Sequence, residues 1–226
     1  MKQKTVFLCS DCGYESPKWY GKCPSCGAWN TLSEYHVKPQ TQTRGVLAST
    51  AATSRTQNPP VLLADIDSTT ESRFLSGIGE LDRVLGGGAV HGSFVLVGGE
   101  PGIGKSTLLL QMCQEMCRSA KVLYVSGEES LRQIKLRASR LGIRAAQLFV
   151  LAETDMDEII QETDLLQPDI LIIDSIQTVY RRDLTAAPGG TTQIKECAMS
   201  LMQYAKRHGV TIFIVGHVNK EGSLAG

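Results

Sequence analysis

The feature that most constrains this chain is the sequence Gly-Glu-Pro-Gly-Ile-Gly-Lys-Ser at residues 99–106. It matches the pattern G-x-x-x-x-G-K-S, in which glycines let the backbone wrap closely around phosphate oxygens. Backbone amides and the positive end of the following helix then bind the phosphates. The flanking residues fit, because residues 94–98 have the pattern of a buried strand and residues 106–116 that of an amphipathic helix. The alternative, a glycine-rich turn between strand and helix, leaves Lys-Ser at the helix start unexplained.

This loop predicts a nucleotide site with ATP and Mg²⁺ as cofactors. We expect Lys105 to reach the β- and γ-phosphates and Ser106 to ligate Mg²⁺. The residues predicted to bind the nucleotide are Gly99, Glu100, Pro101, Gly102, Ile103, Gly104, Lys105, Ser106 and Thr107.

Two further motifs place carboxylates at strand ends. The apolar run at residues 169–174 ends in Asp174, and phosphate-loop enzymes use such an aspartate to hold Mg²⁺. Glu128 and Glu129 follow the strand pattern at residues 121–126, where a carboxylate can polarise water against the γ-phosphate. We predict Glu128 as the general base, with Glu129 as the second candidate. The alternatives are an aspartate that caps a turn and acidic residues favoured by the dipole of a helix N-terminus.

Four cysteines have the spacing C-x2-C-x10-C-x2-C and are the predicted zinc ligands: Cys9, Cys12, Cys23 and Cys26. Each pair precedes a glycine, so two tight turns would bring four thiolates into a closed tetrahedral site, which suits Zn²⁺. A region this small has too little core to fold without such a metal. The alternatives are two disulfides, which the cytosol disfavours, and a rubredoxin-like iron site with the same ligands.

The residues around this quartet indicate a structural or partner-binding role. All four ligand positions are filled, which argues against an open catalytic site. We expect three aromatic residues to pack against the metal site: Trp19, Tyr20 and Trp29. The remaining cysteines lie in predicted helices and are expected to be buried apolar residues: Cys113, Cys117 and Cys197.

Composition divides the chain into three parts. Residues 1–36 are the cysteine-rich module. Residues 37–72 are rich in Thr, Ser, Gln, Ala and Pro, and we predict a flexible linker, because such a composition buries too little apolar surface to fold alone. The end of this linker, at residues 61–66, is a candidate edge strand. Residues 73–226 form the core, which we expect to be truncated because no capping element follows its last strand.

The core alternates between strand and helix patterns. This predicts an α/β fold, with a mostly parallel sheet covered by helices on both faces. The predicted strands are residues 94–98, 121–126, 147–151, 169–174 and 210–215. The predicted helices are residues 105–117, 130–141, 156–166 and 192–208.

Two segments outside these motifs are weaker candidates. Arg181 and Arg182 lie in a Gly- and Pro-containing surface loop at residues 180–192, and arginines there could pair with a nucleic-acid backbone. A disordered connection is an equal alternative for this loop. His217 and Asn219 follow the last strand, where either could sense the γ-phosphate, although a lone histidine is more often structural.

Charge and hydropathy argue against a strongly basic nucleic-acid-binding protein, a membrane protein and a secreted protein. The formal net charge is zero, so any nucleic-acid contact must come from a local patch. No apolar run approaches the roughly 18 residues that span a bilayer, and the N-terminus lacks the apolar stretch of a signal peptide. We therefore expect a cytoplasmic protein with reduced thiols and no membrane partner.

Together these motifs resemble the RadA (Sms) family of bacterial DNA-repair ATPases. The resemblance covers essentially the whole chain outside the linker. The motifs that carry it are Trp-x-Gly-x-Cys at 19–23, Gly-Ala-Trp-Asn-Thr at 27–31, Ser-Gly-Ile-Gly-Glu-Leu-Asp-Arg-Val-Leu-Gly-Gly-Gly at 76–88, Val-Ser-Gly-Glu-Glu-Ser at 125–130 and Asp-Ser-Ile-Gln-Thr at 174–178. Family members continue with a Lys-Asn-Arg-Phe-Gly motif and a Lon-protease-like domain, neither of which occurs in these 226 residues.

The resemblance implies a RecA-like core that forms a homo-oligomeric ring with ATP between subunits. It implies a DNA-dependent, helicase-like ATPase of repair and recombination, which binds single-stranded DNA and drives branch migration of recombination intermediates. The implied partners are single-stranded or branched DNA and a RecA-type recombinase or a replication protein. The alternative function is an ATP-gated scaffold that recruits such a protein through the zinc module. A phosphotransferase is a third, less favoured interpretation, because no acceptor pocket is apparent.

Overall fold

The computed structural model describes residues 4–9, 14–37, 61–65 and 72–217. Several predictions lie outside these residues, namely the ligand Cys12, the sensor candidate Asn219 and most of the linker at 37–72. The domain boundaries drawn from composition therefore stay predictions. Among the described residues, no helix is both long enough and apolar enough to cross a membrane.

The N-terminal module is a small antiparallel sheet. Its strands are Lys4–Cys9 (β1), Glu15–Ser16 (β2) and Leu32–Val37 (β3). β1 lies in the centre and pairs with both neighbours, so that Cys9 lies opposite Leu32. Its small apolar core contains Phe7, Cys9, Cys23 and Leu32. These strands were not predicted from the sequence.

The prediction of an edge strand at residues 61–66 is wrong for the described part of that segment. Leu63–Asp65 forms a 3₁₀ helix, in which the Asp65 amide donates to the Leu62 carbonyl at 2.9 Å. Val61, Leu62 and Leu63 are all exposed. An apolar run becomes a strand only where a sheet offers a partner, and without one the backbone amide bonds locally instead.

The core alternates between strands and helices, as predicted. Its strands are Arg73–Phe74 (β4), Ala89–Val90 (β5), Phe94–Gly99 (β6), Val122–Ser126 (β7), Leu148–Ala152 (β8), Ile170–Asp174 (β9) and Thr211–His217 (β10). Its helices are Gly79–Val84 (α1), Lys105–Met116 (α2), Leu131–Arg140 (α3), Met156–Leu166 (α4) and Thr191–His208 (α5). Every core element predicted from the sequence ends within two residues of its observed bounds. The antiparallel pair β4–β5 and the short helix α1 that lies between its strands in the sequence were not predicted.

Strands β6 to β10 form one sheet in the spatial order β6-β10-β9-β7-β8. All four pairs of neighbours are parallel. Parallel neighbours require a crossover, and helices α2 to α5 supply these connections. The predicted α/β architecture is therefore confirmed.

The inner strands β7, β9 and β10 are buried on both faces of the sheet. Successive side chains of each strand point in opposite directions, so each face needs its own helical layer. One face packs against α2 and α3 through a cluster that includes Leu109, Met112, Met116, Val122, Tyr124, Ile134, Ile170 and Ile172. The other packs against α4 and α5 through a cluster that includes Leu123, Val125, Ile159, Leu171, Ile173, Ile194, Cys197 and Leu201. The three cysteines predicted to be buried, at 113, 117 and 197, are buried. Burial raises the pKa of Cys117 and of Cys197 to about 11, so both stay uncharged in the core.

Gly127, which follows β7, fits against Thr178 with no space for a side chain. A methyl group on Gly127 would lie 2.0 Å from Thr178 Oγ1 and 2.5 Å from its Cβ. We expect Gly127→Ala to lower the free energy of unfolding by about 1–3 kcal/mol, because such an overlap forces the backbone to shift. Urea denaturation measures this value.

Gly79→Ala is the matched control for this substitution. A methyl group there would have no neighbour within 4 Å, and Gly79 is the first residue of α1. The free energy of unfolding should be unchanged or slightly higher in this variant. Equal stability of the two variants would show that Gly127 is not held against Thr178.

Candidate functional site

Four strands carry the predicted site residues to one edge of the sheet. β6 ends at Gly99, β7 at Ser126, β9 at Asp174 and β10 at His217. The strand register places Asp174 beside Ser126 and His217 beside Gly99. Because all these strands are parallel, their carboxyl ends meet at the edge where open α/β sheets bind ligands.

The phosphate loop turns between β6 and α2 with two glycines in the left-handed region. Gly102 has a φ of 79° and Gly104 a φ of 102°. Other residues adopt such angles only at a cost, which explains the glycines in the motif. Helix α2 begins directly after Gly104, so the amides of its first turn face the loop.

A cavity of about 340 Å³ lies over this loop. Its lining combines six residues of the loop and α2 with two at the sheet edge and one on α3: Pro101, Gly102, Gly104, Lys105, Ser106, Thr107, Glu128, His217 and Arg137. Among the other predicted nucleotide ligands, Gly99 and Glu100 contact Lys105 through their carbonyls, and Ile103 is exposed. The size and lining suit the phosphates of a nucleotide.

Lys105 connects the phosphate loop to the opposite wall of the cavity. Its side chain is buried, and Nζ donates to the carbonyls of Gly99 and Glu100, each at 2.8 Å. Nζ also lies 3.1 Å from Nδ1 of His217. Because an ammonium group can only donate, Nδ1 of His217 accepts this hydrogen bond, which leaves the ring proton on Nε2.

Glu128 lies on the far side of His217. Its Oε1 accepts a hydrogen bond from Ser175 Oγ at 2.8 Å and lies 3.5 Å from Nε2 of His217. The side chain is half-exposed, so the carboxylate remains open to the cavity. Lys105, His217 and Glu128 therefore form one polar chain across the site.

Asp174 is set back from the cavity and is held by a residue that was not predicted from the sequence. The hydroxyl of Tyr124, in the neighbouring strand β7, donates to Asp174 Oδ2. Both residues are buried. Burial raises the pKa of Tyr124 and the adjacent Asp174 carboxylate raises it further, so the hydroxyl keeps its proton and donates. A cis peptide bond joins Asp174 to Ser175.

Glu129 does not join the cavity, although it is adjacent to Glu128. Its carboxylate forms an ion pair with Arg137 of α3 and lines a neighbouring depression beside Glu153. A capping box directly after Glu129 begins α3, in which Ser130 and Gln133 bond to each other's backbone amides. The geometry thus favours Glu128 over Glu129 as the group that faces the phosphates.

Both arginines of the candidate DNA loop are paired with carboxylates. Arg181 donates from Nε and Nη2 to the two carboxylate oxygens of Asp183, at 3.0 and 2.7 Å, and from Nη1 to Ser200 Oγ at 3.1 Å. The more exposed Arg182 forms an ion pair with Asp155. Either arginine would have to exchange a carboxylate for a phosphate in order to bind DNA.

Three of the four predicted zinc ligands lie together. The sulfurs of Cys9, Cys23 and Cys26 are all within 4.8 Å of one another. Cys9 Sγ and Cys26 Sγ are 3.7 Å apart, well beyond the roughly 2.05 Å of a disulfide bond. The second turn closes through hydrogen bonds from Gly27 N to Cys23 O at 2.9 Å and from Cys23 N to Ala28 O at 2.8 Å. This clustering of thiols fits a tetrahedral metal site.

The aromatic residues of the module do not pack as predicted. Trp19 is 55%, Tyr20 45% and Trp29 71% exposed. The module's apolar core instead uses Phe7 and Leu32 with the cysteines. Three short strands enclose too little volume to bury indole rings, so these rings remain at the surface.

The family model described as AAA domain matches residues 57–223, which is most of the chain. The chain belongs to the AAA domain family. A second model, described as Rubredoxin metal binding domain, matches residues 7–34. The AAA domain with its phosphate loop uses ATP and Mg²⁺, for which Ser106 and Asp174 offer oxygen donors. The cysteine cluster in the metal-binding match is a Zn²⁺ site.

The relatives of this AAA protein confirm the resemblance to RadA. The chain is 52% identical to the DNA repair protein RadA of Bacillus subtilis (strain 168) and 49% identical to that of Listeria monocytogenes serovar 1/2a. The matches cover 100% of this chain but 49% and 48% of those relatives. The chain therefore spans about half the length of the curated relatives it matches.

A solved structure supports the fold of the AAA domain. The KaiC-like protein PH0186 from Pyrococcus horikoshii OT3 is similar, with a TM-score of 0.56 and 22% identity, over 69% of this chain and 74% of that one. At this identity the similarity shows the fold alone, and that fold is the RecA-like architecture expected from the sequence.

Sequence reasoning missed three polar residues of the site. Tyr124 is the only aromatic residue in an aliphatic strand, and a buried tyrosine needs a partner for its hydroxyl, which was a usable signal. Ser175 and Arg137 carried no such signal. Their roles depend on strand order and on how α3 packs.

The Tyr124–Asp174 hydrogen bond should contribute measurably to stability. We expect Tyr124→Phe to lower the free energy of unfolding by about 1–3 kcal/mol, because a buried carboxylate loses its donor. Tyr204→Phe is the matched control, since the Tyr204 hydroxyl donates at 2.6 Å to the exposed Asp164. That substitution should cost less than about 1 kcal/mol, since water can replace the lost donor. Equal losses in urea denaturation would show that the buried hydrogen bond contributes no more than the exposed one.

The cysteine cluster makes a prediction about metal content. We expect the chain to bind a single zinc ion and Cys26→Ser to lose it, because three thiolates leave a tetrahedral site incomplete. Residues 1–36 should then unfold while ATP affinity stays unchanged. Ser25→Ala, an exposed change between the two cysteines of the second turn, should retain the zinc. Metal analysis measures the zinc content, and titration calorimetry measures the affinity for ATP. Loss of ATP affinity in Cys26→Ser would show that the cysteine-rich module and the core depend on each other.

Proposed function

We propose that this chain is the ATPase portion of a DNA-repair motor, which hydrolyses ATP in response to single-stranded DNA. The observation that carries the proposal is the convergence of Lys105, His217 and Glu128 on one cavity over the phosphate loop. Phosphoryl transfer to water needs a cation that binds the phosphates and a carboxylate that accepts a proton from water. Lys105 and Glu128 supply these two groups, and His217 connects them.

Nucleotide binding would use the loop amides and Lys105. The first-turn amides of α2 would donate to the phosphate oxygens. The Lys105 ammonium would exchange the carbonyls of Gly99 and Glu100 for β- and γ-phosphate oxygens. Ser106 and Asp174 would hold Mg²⁺, which neutralises charge on the phosphates when bound. The Tyr124 hydroxyl would keep the Asp174 carboxylate oriented during this step.

Hydrolysis would use Glu128 as the general base. Its carboxylate is open to the cavity and is oriented by Ser175 and His217. It would accept a proton from the attacking water as the water approaches the γ-phosphate in line. Arg137, which also lines the cavity, would add positive charge where negative charge accumulates. Most of the rate enhancement would come from this positioning and electrostatics.

The DNA-related part of the proposal rests on the relatives and on the loop after β9. The relatives are DNA repair proteins, and Arg181 and Arg182 lie in that loop. We propose that ATP hydrolysis changes the loop's affinity for single-stranded DNA and that the complete protein drives branch migration as a ring. A RecA-type recombinase or a replication protein would be its partner. Because a zinc site needs reduced thiols, we place this activity in the cytoplasm.

A second function is favoured by one specific observation. Both arginines of the loop are paired with carboxylates, which weakens the case for strong DNA binding there. An ATP-gated scaffold, which recruits a repair partner through its zinc module, would not need them. Strand movement distinguishes the two functions, because a scaffold binds without translocating DNA.

The roles of the two glutamates give a direct test of the mechanism. We expect Glu128→Gln to reduce ATP hydrolysis by about 10²- to 10⁴-fold while ATP still binds, since the amide cannot accept the proton. Glu129→Gln should reduce it by less than about tenfold, because Glu129 acts only by holding Arg137. Lys105→Ala should lose both binding and hydrolysis. Phosphate release and ATP titration measure these quantities.

The same assay, with and without single-stranded DNA, tests the proposed function. Faster ATP hydrolysis in the presence of DNA would support the motor function. Hydrolysis should be measured in the 226-residue chain and in a full-length relative. Hydrolysis unchanged in Lys105→Ala would refute the assignment of the site. Hydrolysis without DNA stimulation in either protein would favour the scaffold.

A further inference from the structure

The zinc module exposes an unusual group of side chains. Within residues 14–34, every large apolar side chain that is exposed is aromatic: Tyr14, Trp19, Tyr20 and Trp29. Between residues 16 and 33 the sequence has two lysines, Lys18 and Lys22, and no acidic residue. We call Lys18, Trp19, Tyr20, Lys22 and Trp29 the aromatic surface.

The two indole rings of this surface are neighbours. A methyl group placed on Gly21 would lie 3.6 Å from Cη2 of Trp19 and 4.0 Å from Cζ3 of Trp29, so the rings flank this glycine. The Gly21 carbonyl accepts a hydrogen bond from Asn30 N at 2.8 Å, which holds the two segments together. The Lys22 ammonium lies 5.6 Å from the centre of the Trp29 ring.

Contacts within the module place both residues. Trp19 Nε1 donates to the Leu32 carbonyl at 3.1 Å, so the polar group of this indole is already bonded inside the module. Trp29 is placed by a β-bridge between its backbone and that of Lys22. The exposed part of the Trp19 side chain is therefore mainly ring surface, and the backbone that carries the Trp29 ring is fixed.

We propose that the aromatic surface binds single-stranded DNA, with bases stacked on Trp19 and Trp29 and phosphates contacted by Lys18 and Lys22. Stacking on aromatic side chains is a common mode of single-strand binding, and it tolerates any sequence because every base has a π-face. Gly21 keeps the space between the rings open. No step of this binding requires ATP or the cavity over the phosphate loop.

The composition of the aromatic surface favours a nucleic acid over a protein as the occupant. Protein interfaces are depleted in lysine, and they include methionine and arginine beside aromatic residues. This surface has lysines and aromatic rings but no exposed aliphatic side chain. A zinc ion on four thiolates leaves about two negative charges on the site, so stacking rather than charge supplies most of the affinity. The choice of DNA over RNA rests on the proposed function.

Tryptophan fluorescence can report binding at the aromatic surface. It has two tryptophans, and both belong to the aromatic surface. Intrinsic tryptophan fluorescence of the zinc-loaded 226-residue chain therefore reports binding here and not at the AAA domain. We expect an oligothymidylate to quench this fluorescence in the absence of ATP. An abasic oligomer of equal length has the same phosphates without bases, and it should quench little.

Substitution of Trp29 tests the stacking directly. We expect Trp29→Ala to weaken oligothymidylate binding by roughly 5- to 150-fold, the range for losing one stacked base. Trp29→Tyr should restore most of the affinity, with Trp19 as the remaining reporter. Leu165→Ala is the matched control, because Leu165 is 72% exposed against 71% for Trp29, and it should leave affinity unchanged. Zinc content confirms that each variant keeps its module.

Replacement of the lysines tests the phosphate contacts. Lys18→Gln combined with Lys22→Gln should flatten the dependence of log affinity on log salt by about 1.4, since each neutralised phosphate of a single strand contributes about 0.7.

Quenching by the oligothymidylate but not by the abasic oligomer, together with loss in Trp29→Ala, would establish the site. Equal quenching by both oligomers would overturn it. DNA binding that is seen by fluorescence anisotropy without any tryptophan quenching would also overturn the proposed site. That result would not contradict the proposed ATPase function. Quenching by a repair protein but not by DNA would identify a protein-docking surface instead.

Discussion

Burial of a parallel sheet between two helical layers positions every group of the nucleotide site. Because β6, β10, β9 and β7 run in one direction, their carboxyl ends meet at one edge. The two helical layers bury the aliphatic side chains of these strands and fix their register. The polar residues that follow each strand are thereby brought to the phosphate loop, although they are far apart in the sequence.

Polar residues at this edge are held by one another. Lys105 bonds to the loop's own carbonyls and to His217, and His217 approaches Glu128. Behind them, Tyr124 supplies a donor to the buried Asp174, which would otherwise be an unsatisfied carboxylate. Preorganised groups of this kind need little rearrangement when a charged substrate arrives, and this is how phosphoryl-transfer sites gain most of their effect.

The N-terminal module obtains its stability in a different way. Its three strands bury only a small apolar core, so metal binding must supply the part of the folding free energy that packing cannot. The same shortage of volume leaves indole rings at the surface. Exposed aromatic area that a larger domain would bury is thus available for binding.

The sequence by itself determined the phosphate loop, the order along the chain of strands β6–β10 and helices α2–α5, and the cysteine pairs, because each depends on local spacing or on periodic burial. It also predicted Lys105, Ser106 and Asp174 as site residues, and the structure places Lys105 and Ser106 in the cavity lining. Only the tertiary structure decided that Glu128 faces the cavity while Glu129 pairs with Arg137, and that His217 lies between Lys105 and Glu128. The position of His217 follows from β10 lying between β6 and β9, and the pairing of Glu129 follows from how α3 packs. Both are set by the packing of the whole domain and not by any local pattern.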